Sequence, residues 1–237
     1  MASSTKTSGQ ESVIYIVLLG NCGTGKSASG NTILGEEKFH SDVSPCPVTT
    51  KCEKIEVQIG ENRIVVIDTP DVLDSEAPLV DIKSCIPKNY NSHLTAFLLV
   101  IQLGRFTEEE KNATKKIQEL FGAEALSRTI VLFTFGDRLK NRNITDFLKT
   151  NGELQQLVKQ CGNRYHVFNN TNIKDRKQVT DLLEKIRKVT NQNIVFGNAV
   201  TLACAAVAGI TGSCLVGPVV GLGVGALAGI LAYNGKW

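Results

Sequence analysis

Gly20-Asn21-Cys22-Gly23-Thr24-Gly25-Lys26-Ser27 directly follows the apolar run Val13-Ile14-Tyr15-Ile16-Val17-Leu18-Leu19. The octapeptide satisfies GxxxxGK[ST], with a buried strand predicted before it and a helix after it, the context this pattern requires. Glycines let successive N–H groups curl around phosphate oxygens, and a helix start adds partial positive charge. Lys26 is expected to reach the outer phosphates, and the Ser27 hydroxyl to ligate Mg²⁺.

Working outward, Ile55–Ile59 and Arg63–Ile67 read as a hairpin around Gly60-Glu61-Asn62. The second arm runs into Asp68-Thr69-Pro70-Asp71, and Asp68 at a strand end is placed for a Mg²⁺-linked carboxylate. Thr49 and Thr50, in the loop after Ser44-Pro45-Cys46-Pro47, are placed to offer a hydroxyl to that ion, or to be solvated loop residues. Leu94–Leu103 is another apolar strand. Thr107-Glu108-Glu109-Glu110 predicts an N-capped helix running to about Phe121 and stopped by Gly122. Thr129–Phe133 is a strand, Asp146–Gln160 an amphipathic helix, Tyr165–Phe168 a strand and Gln178–Val189 the last helix. This alternation predicts an α/β domain with a mostly parallel sheet.

Thr134-Phe135-Gly136-Asp137, just after a strand, is a variant of the guanine-reading [NT]KxD element. A carboxylate there accepts from the guanine ring N–H and amino group together, a donor pair adenine lacks. Phe135 stands where a lysine stem normally packs on the base, and its ring offers stacking instead. Asn169-Asn170 falls where a last base-contacting loop belongs, although Asn-Asn by itself is a turn.

With these motifs in view, the chain resembles the GTPases of the immunity-associated (IMAP) group, related to the plant avirulence-induced (AIG-type) proteins. The likeness extends from about Tyr15 to Ile186. It rests on the loop with its continuation Ser27-Ala28-Ser29-Gly30-Asn31-Thr32-Ile33-Leu34-Gly35, and on Asp68-Thr69-Pro70-Asp71. It also rests on the box Leu103-Gly104-Arg105-Phe106-Thr107-Glu108-Glu109-Glu110, and on Cys161-Gly162-Asn163-Arg164-Tyr165 leading into Phe168-Asn169-Asn170. The resemblance implies a P-loop NTPase fold with a Ras-like sheet covered by helices on both faces. It implies GTP/GDP and Mg²⁺ as ligands, dimers or oligomers formed through the G domain in the GTP form, membrane attachment and immune-cell roles. By position, Gly20 through Ala28 and Ser29 would cradle the phosphates, and Ser27 with Thr49 would serve Mg²⁺. Asp137 would read guanine, and Asn170 would close over the base.

Three residues depart from the general pattern. Phe135 is one. Asp71 replaces a glycine whose N–H normally meets the γ-phosphate, and Val72 replaces a common water-orienting glutamine. A valine positions no water, so hydrolysis by the monomer is expected to be slow. Arg105 is then a candidate for a finger donated across a dimer, or else a solvated arginine.

The chain has 237 residues, with 26 Lys+Arg against 23 Asp+Glu and a formal net charge of +3. A hydrophobic share of 42% excludes wholesale disorder, and an excess this small is no basic stripe, so no nucleic-acid partner is expected. The charges are unevenly spread: none occurs from Val189 to Gly235. Seven cysteines without a CxxC pair argue for a reducing compartment, and MASSTKTSGQE has no apolar signal core. The expected organisation is a flexible lead-in over 1–11, a G domain over 12–190 and a hydrophobic Gly/Ala-rich segment over 194–233. Gly217-Pro218 makes a hairpin tip in that segment, and small residues recur at Ala205, Gly209, Ser213, Gly217, Gly221, Gly225 and Gly229. Lys185, Arg187 and Lys188 flank one end and Lys236 the other, which favours a shallow membrane hairpin with both ends cytosolic. A helix pair buried on the domain is the alternative. The G domain is therefore expected in the cytoplasm, attached to an intracellular membrane. Two other functions compete: a GTP-locked structural scaffold, and an ATP-dependent enzyme on the same core.

Overall fold

The computed structural model describes residues 13–41, 49, 51–59, 62–71, 73, 79–87, 90, 94–140 and 142–190. The readings of Thr50, Val72 and the 194–233 hairpin lie outside them. The strands are β1 (Val13–Leu19), β2 (Glu53–Ile59), β3 (Asn62–Asp68), β4 (Leu94–Gln102), β5 (Thr129–Thr134) and β6 (Tyr165–Val167). Among the described residues they form one sheet in the order β2-β3-β1-β4-β5-β6. Every pairing is parallel except the β2–β3 hairpin, which adds an antiparallel edge.

Helices α1 (Lys26–Leu34), α2 (Leu79–Cys85), α3 (Glu108–Lys111), α4 (Ala113–Phe121), α5 (Ile144–Lys149) and α6 (Gly152–Gln160) connect the strands, and α7 covers residues 176–190. Alternate residues of the central strands feed two cores. Val17, Leu19, Phe97, Leu99, Val131 and Phe133 pack with Ile117 of α4 and Leu157 of α6. Ile16, Leu18, Leu98 and Leu132 pack on the other side with Ile33 of α1 and Leu182 and Ile186 of α7. A sheet covered on both faces explains why β1, β4 and β5 are unbroken apolar runs rather than alternating ones.

The structure corrects two predicted helices. The stretch Thr107–Phe121 divides at Asn112 and the stretch ending at Gln160 divides at Thr150-Asn151. Asn112 Nδ2 donates to the Glu108 carbonyl at 3.0 Å, and Asn151 Oδ1 accepts from the N–H groups of Glu153 and Leu154 at 3.0 Å. The Asn112 amide thus competes with the helical ladder of α3, and the Asn151 amide caps and restarts the helix as α6. The predicted cap at Thr107 is present as a reciprocal capping box with Glu110. Helix α2 lies in a stretch for which no helix was predicted. Among the described residues, no helix is long and apolar enough to cross a membrane.

Register places the chemistry. Leu18 pairs with Asp68, so β1 and β3 end together, and Gln102 pairs with Thr134, so β4 and β5 end together a few residues further on. All the predicted motifs therefore emerge at the carboxyl edge of the parallel sheet, where ligands of open α/β sheets bind.

Candidate nucleotide-binding site

The loop from Gly20 to Gly25 crosses the top of the sheet close to β4. A Cβ at Gly20, whose φ is +152°, would lie 2.6 Å from the Val100 carbonyl oxygen, so the first glycine is a steric requirement. Thr134 Oγ1 donates to the Thr24 carbonyl at 2.7 Å, and Thr24 Oγ1 to that of Asn21 at 2.8 Å. These bonds fix the loop from behind. Thr24 and Thr134 are both buried, which makes them supports of the cradle.

Lys26 is 7% exposed, and its Nζ donates to the carbonyls of Gly20 and Asn21, each at 2.9 Å. Burial lowers its pKa, while Asp71 and Asp68 oppose that shift. Asp71 enters the same space: its Oδ2 accepts the Cys22 N–H at 2.7 Å, and its Oδ1 lies 3.8 Å from Lys26 Nζ.

Ser27, Thr49 and Asp68 converge. Ser27 Oγ donates to Asp68 Oδ2 at 2.6 Å and lies 3.3 Å from Thr49 Oγ1, which itself donates to Asp68 Oδ2 at 3.3 Å. Asp68 is 1% exposed, its Oδ1 has no hydrogen-bond partner, and burial pushes its carboxyl up. Two hydroxyls around a buried carboxylate with an unused oxygen are an oxygen set that suits a hard cation.

One cavity of about 620 Å³ joins this end to the predicted base-reading end. Cys22, Gly23, Gly25, Lys26, Ser27, Ala28, Thr49 and Asp71 line one part, and Phe135, Asp137 and Asn170 the other. Its size falls within the range of small-molecule sites. Asp137 is exposed. Phe135 holds a left-handed φ of 57°, turning the chain out of β5. The Arg138 guanidinium lies 4.1 Å from the Phe135 ring centre, so a cation covers one face of the expected stacking ring.

Other predicted residues serve the walls. Ser29 is buried, and its Oγ accepts from Asn170 Nδ2 at 3.1 Å, while Asn170 Oδ1 accepts from Thr32 at 2.8 Å. The Asn170 amide is thus held by α1 at the edge of the cavity. Asn169 Oδ1 accepts from the N–H and hydroxyl of Thr171 in a local turn. Gly136 is needed where Val167 crosses it, since a Cβ there would lie 2.7 Å from Val167 Cγ1. Asn21 Nδ2 donates to Thr107 Oγ1 at 3.3 Å and ties the loop to the Leu103–Glu110 box. Arg105 is exposed in that box and does not line the cavity.

Gln102, Arg138, Thr171, His40 and Ser41 also line the cavity, and sequence reasoning did not single them out. The signal for the last two was the Gly30-Asn31 pair. Asn31 Oδ1 accepts the N–H groups of Lys38 and Phe39 at 2.9 and 2.8 Å, and its Nδ2 donates to the Phe39 carbonyl at 2.9 Å. A Cβ at Gly30 would meet Phe39 at 2.6 Å. Together they seat the segment that carries His40 and Ser41.

Residues 14–204 match the AIG1 family. This chain belongs to the AIG1 family. It is 43% identical over 185 residues to GTPase IMAP family member 8 of Homo sapiens, covering 76% of this chain and 28% of that protein. It is 35% identical over 206 residues to immune-associated nucleotide-binding protein 3 of Arabidopsis thaliana, covering 81% of this chain and 61% of that one. The AIG1 chain thus spans little more than a quarter of the human relative. Among solved structures, chloroplast translocon components atToc33 and psToc159, for whose GTPase activity dimerization is important, match with a TM-score of 0.59. Identity there is 19%, over 75% of this chain and 83% of that one. Toc33 from Arabidopsis thaliana in complex with Mg²⁺ and GMPPNP matches with a TM-score of 0.53 at 21% identity, over 76% of this chain and 85% of that one. At such identities the likeness speaks for the fold, a P-loop GTPase-like α/β sheet.

Proposed function

We propose that this AIG1-family chain binds guanine nucleotides, GTP and GDP, and hydrolyses GTP slowly as a membrane-tethered switch that dimerises or oligomerises in its GTP form. Its setting would be immune-cell regulation, as the names of its relatives suggest. The observation that carries the reading is a continuous cavity with Lys26 and Ser27 at one end and Asp137 at the other. Residues 12–190 would form the G domain, 1–11 a lead-in, and 194–233 the membrane-associating segment of a cytoplasmic protein.

In this reading Gly23 through Ala28 meet the phosphates through backbone N–H groups, with Lys26 neutralising them. Asp137 accepts the guanine donor pair, and Phe135 with Arg138 forms a flat wall beside the base. Ser27, Thr49 and Asp68 would hold Mg²⁺, which when bound supplies charge neutralisation on the phosphates. Arg105, in the box that touches the loop through Thr107, is the trans-finger candidate. The dimer-dependent GTPase activity of the atToc33 and psToc159 structural relatives supports that role.

Phosphate release measured across protein concentration tests this. The rate per molecule is expected to be slow, to rise with concentration, and to lose that rise in Arg105→Ala. Asp137→Ala is expected to weaken guanine binding by about a hundredfold or more. A rate independent of concentration removes the trans finger. The second reading, a GTP-locked scaffold, is favoured by Val72, a side chain that cannot orient a water, and predicts GTP binding with no phosphate release. Binding of ATP in competition with GTP would point to the ATP-dependent enzyme.

A further inference from the structure

Two groups that a P-loop offers to an outer phosphate are already engaged in this chain by its own anion. Asp71 Oδ2 takes the Cys22 N–H at 2.7 Å, a distance typical of a charge-assisted bond. Its second oxygen stands 3.8 Å from Lys26 Nζ and is itself buried without a hydrogen-bond partner. Among the described residues, the carboxylate in ion-pair range of Lys26 is that of Asp71. The remaining contacts of the ammonium are the carbonyls of Gly20 and Asn21. Lysine at this motif position serves the β- and γ-phosphates, so the carboxylate shares the charge that an outer phosphate needs. The other donors of the cradle, around Gly25 to Ala28, are not touched by Asp71.

We infer that Asp71 sets the length of phosphate chain this site accepts, acting as a built-in counter-anion that makes a nucleoside diphosphate the preferred ligand over a triphosphate. The inference rests on the nucleotide reading above and says which nucleotide that site keeps. A diphosphate uses the helix-start donors and leaves Asp71 on Cys22. A triphosphate brings a further anionic group that competes for Lys26 and for the Cys22 N–H. It must displace the carboxylate and then lie beside it. Two like charges about 4 Å apart in a partly buried site repel by more than a tenfold change in affinity requires. Asp71 is a specificity-determining residue here and takes no part in bond making.

The test titrates the full 237-residue chain with GDP and with GMPPNP in the presence of Mg²⁺, as wild type, Asp71→Asn and Asp71→Gly. ADP and AMPPNP are run in parallel. Wild type is expected to hold GDP at least about tenfold more tightly than GMPPNP. Asp71→Asn keeps the acceptor but removes the charge, and should shrink that ratio about tenfold by strengthening GMPPNP while GDP moves less than threefold. Asp71→Gly should shrink it at least as far. Equal wild-type affinities, or a ratio unchanged in Asp71→Asn, overturn the inference. Weaker GMPPNP binding in Asp71→Asn would place Asp71 on the cation and overturn it as well. If the adenine pair binds and the guanine pair does not, the guanine reading falls, and the ADP to AMPPNP ratio judges Asp71 in the same way. If no nucleotide binds to any of the three proteins, both fall.

Discussion

At the scale of single residues, the side chains around the loop divide between touching the cavity and holding its walls. Asn31 is of the second kind, making three hydrogen bonds to Lys38 and Phe39 while 2% exposed. Asn31→Ala takes its partner from the buried N–H and carbonyl of Phe39 and from the Lys38 N–H, and should cost about 2 kcal/mol in denaturant unfolding. The same substitution should weaken nucleotide binding, because it frees the segment that brings His40 and Ser41 to the cavity. Cys161, at the end of α6, belongs to the core instead and is fully buried there. Burial pushes its thiol up to about 12, with Arg164 opposing weakly. It is therefore expected to resist iodoacetamide at pH 8 in the folded protein and to react on unfolding, which mass spectrometry of the labelled peptide would read. Labelling of native Cys161 at the rate of an unfolded thiol would contradict its placement.

At the scale of elements, the junction of β6 with α7 carries the clearest pH dependence. His166 is buried between them, its Nε2 donating to the Gln178 carbonyl at 2.8 Å while Nδ1 accepts from Lys185 Nζ at 3.2 Å. Burial first, then the Lys185 charge, lowers its pKa to about 4, with Lys177 adding to the shift and Asp181 opposing it. Between about 4 and the ordinary value near 6.5 the unfolded chain binds a proton that the folded chain refuses. Stability is therefore fully present above that window and falls as pH drops through it, by at most about 1.4 kcal/mol per pH unit. His166→Gln should flatten that part of the acid limb in melts taken from pH 7 to pH 4.5, and an unchanged slope would contradict the assignment. Sequence periodicity exposed the strands of this sheet well, because residues such as Ile16, Leu98 and Leu132 sit in runs buried on both faces. It missed the breaks at Asn112 and Asn151, since a side-chain amide bonded to the local backbone leaves the apolar spacing intact. Helix α2 offered no clear period or cap. The motif residues of the site were legible for the same local reason, as a loop pattern needs only its own neighbours. Contacts between distant segments were not: Asn170 on α1 and Asp71 on Cys22 both depend on which loops the sheet order brings together.

For the whole molecule, charge and apolar surface are allotted to different parts of the chain. Apart from Lys26 with Asp71, ion pairs of the described domain such as Lys177 with Asp181 and Lys149 with Asp146 lie on the outside, whereas Val189 to Gly235 holds no charged residue. If 194–233 enters a bilayer, the full chain should stay with membranes through carbonate extraction, and a chain ending at residue 190 should not. Release of the full chain into the supernatant would refute insertion. The antiparallel edge has its own bearing on how copies meet. Strand β2 ends the sheet with Glu53, Lys54 and Glu56 exposed, and Arg63 of β3 pairs with Glu56 across the hairpin. Such a charged border disfavours extending the sheet from one molecule into the next. Self-assembly of the proposed switch would then use surfaces other than this backbone ladder, whose hydrogen bonds ignore the ligand. At the strand-end loops, whether two copies fit together would depend on what the cavity holds, and assembly would be conditional rather than permanent.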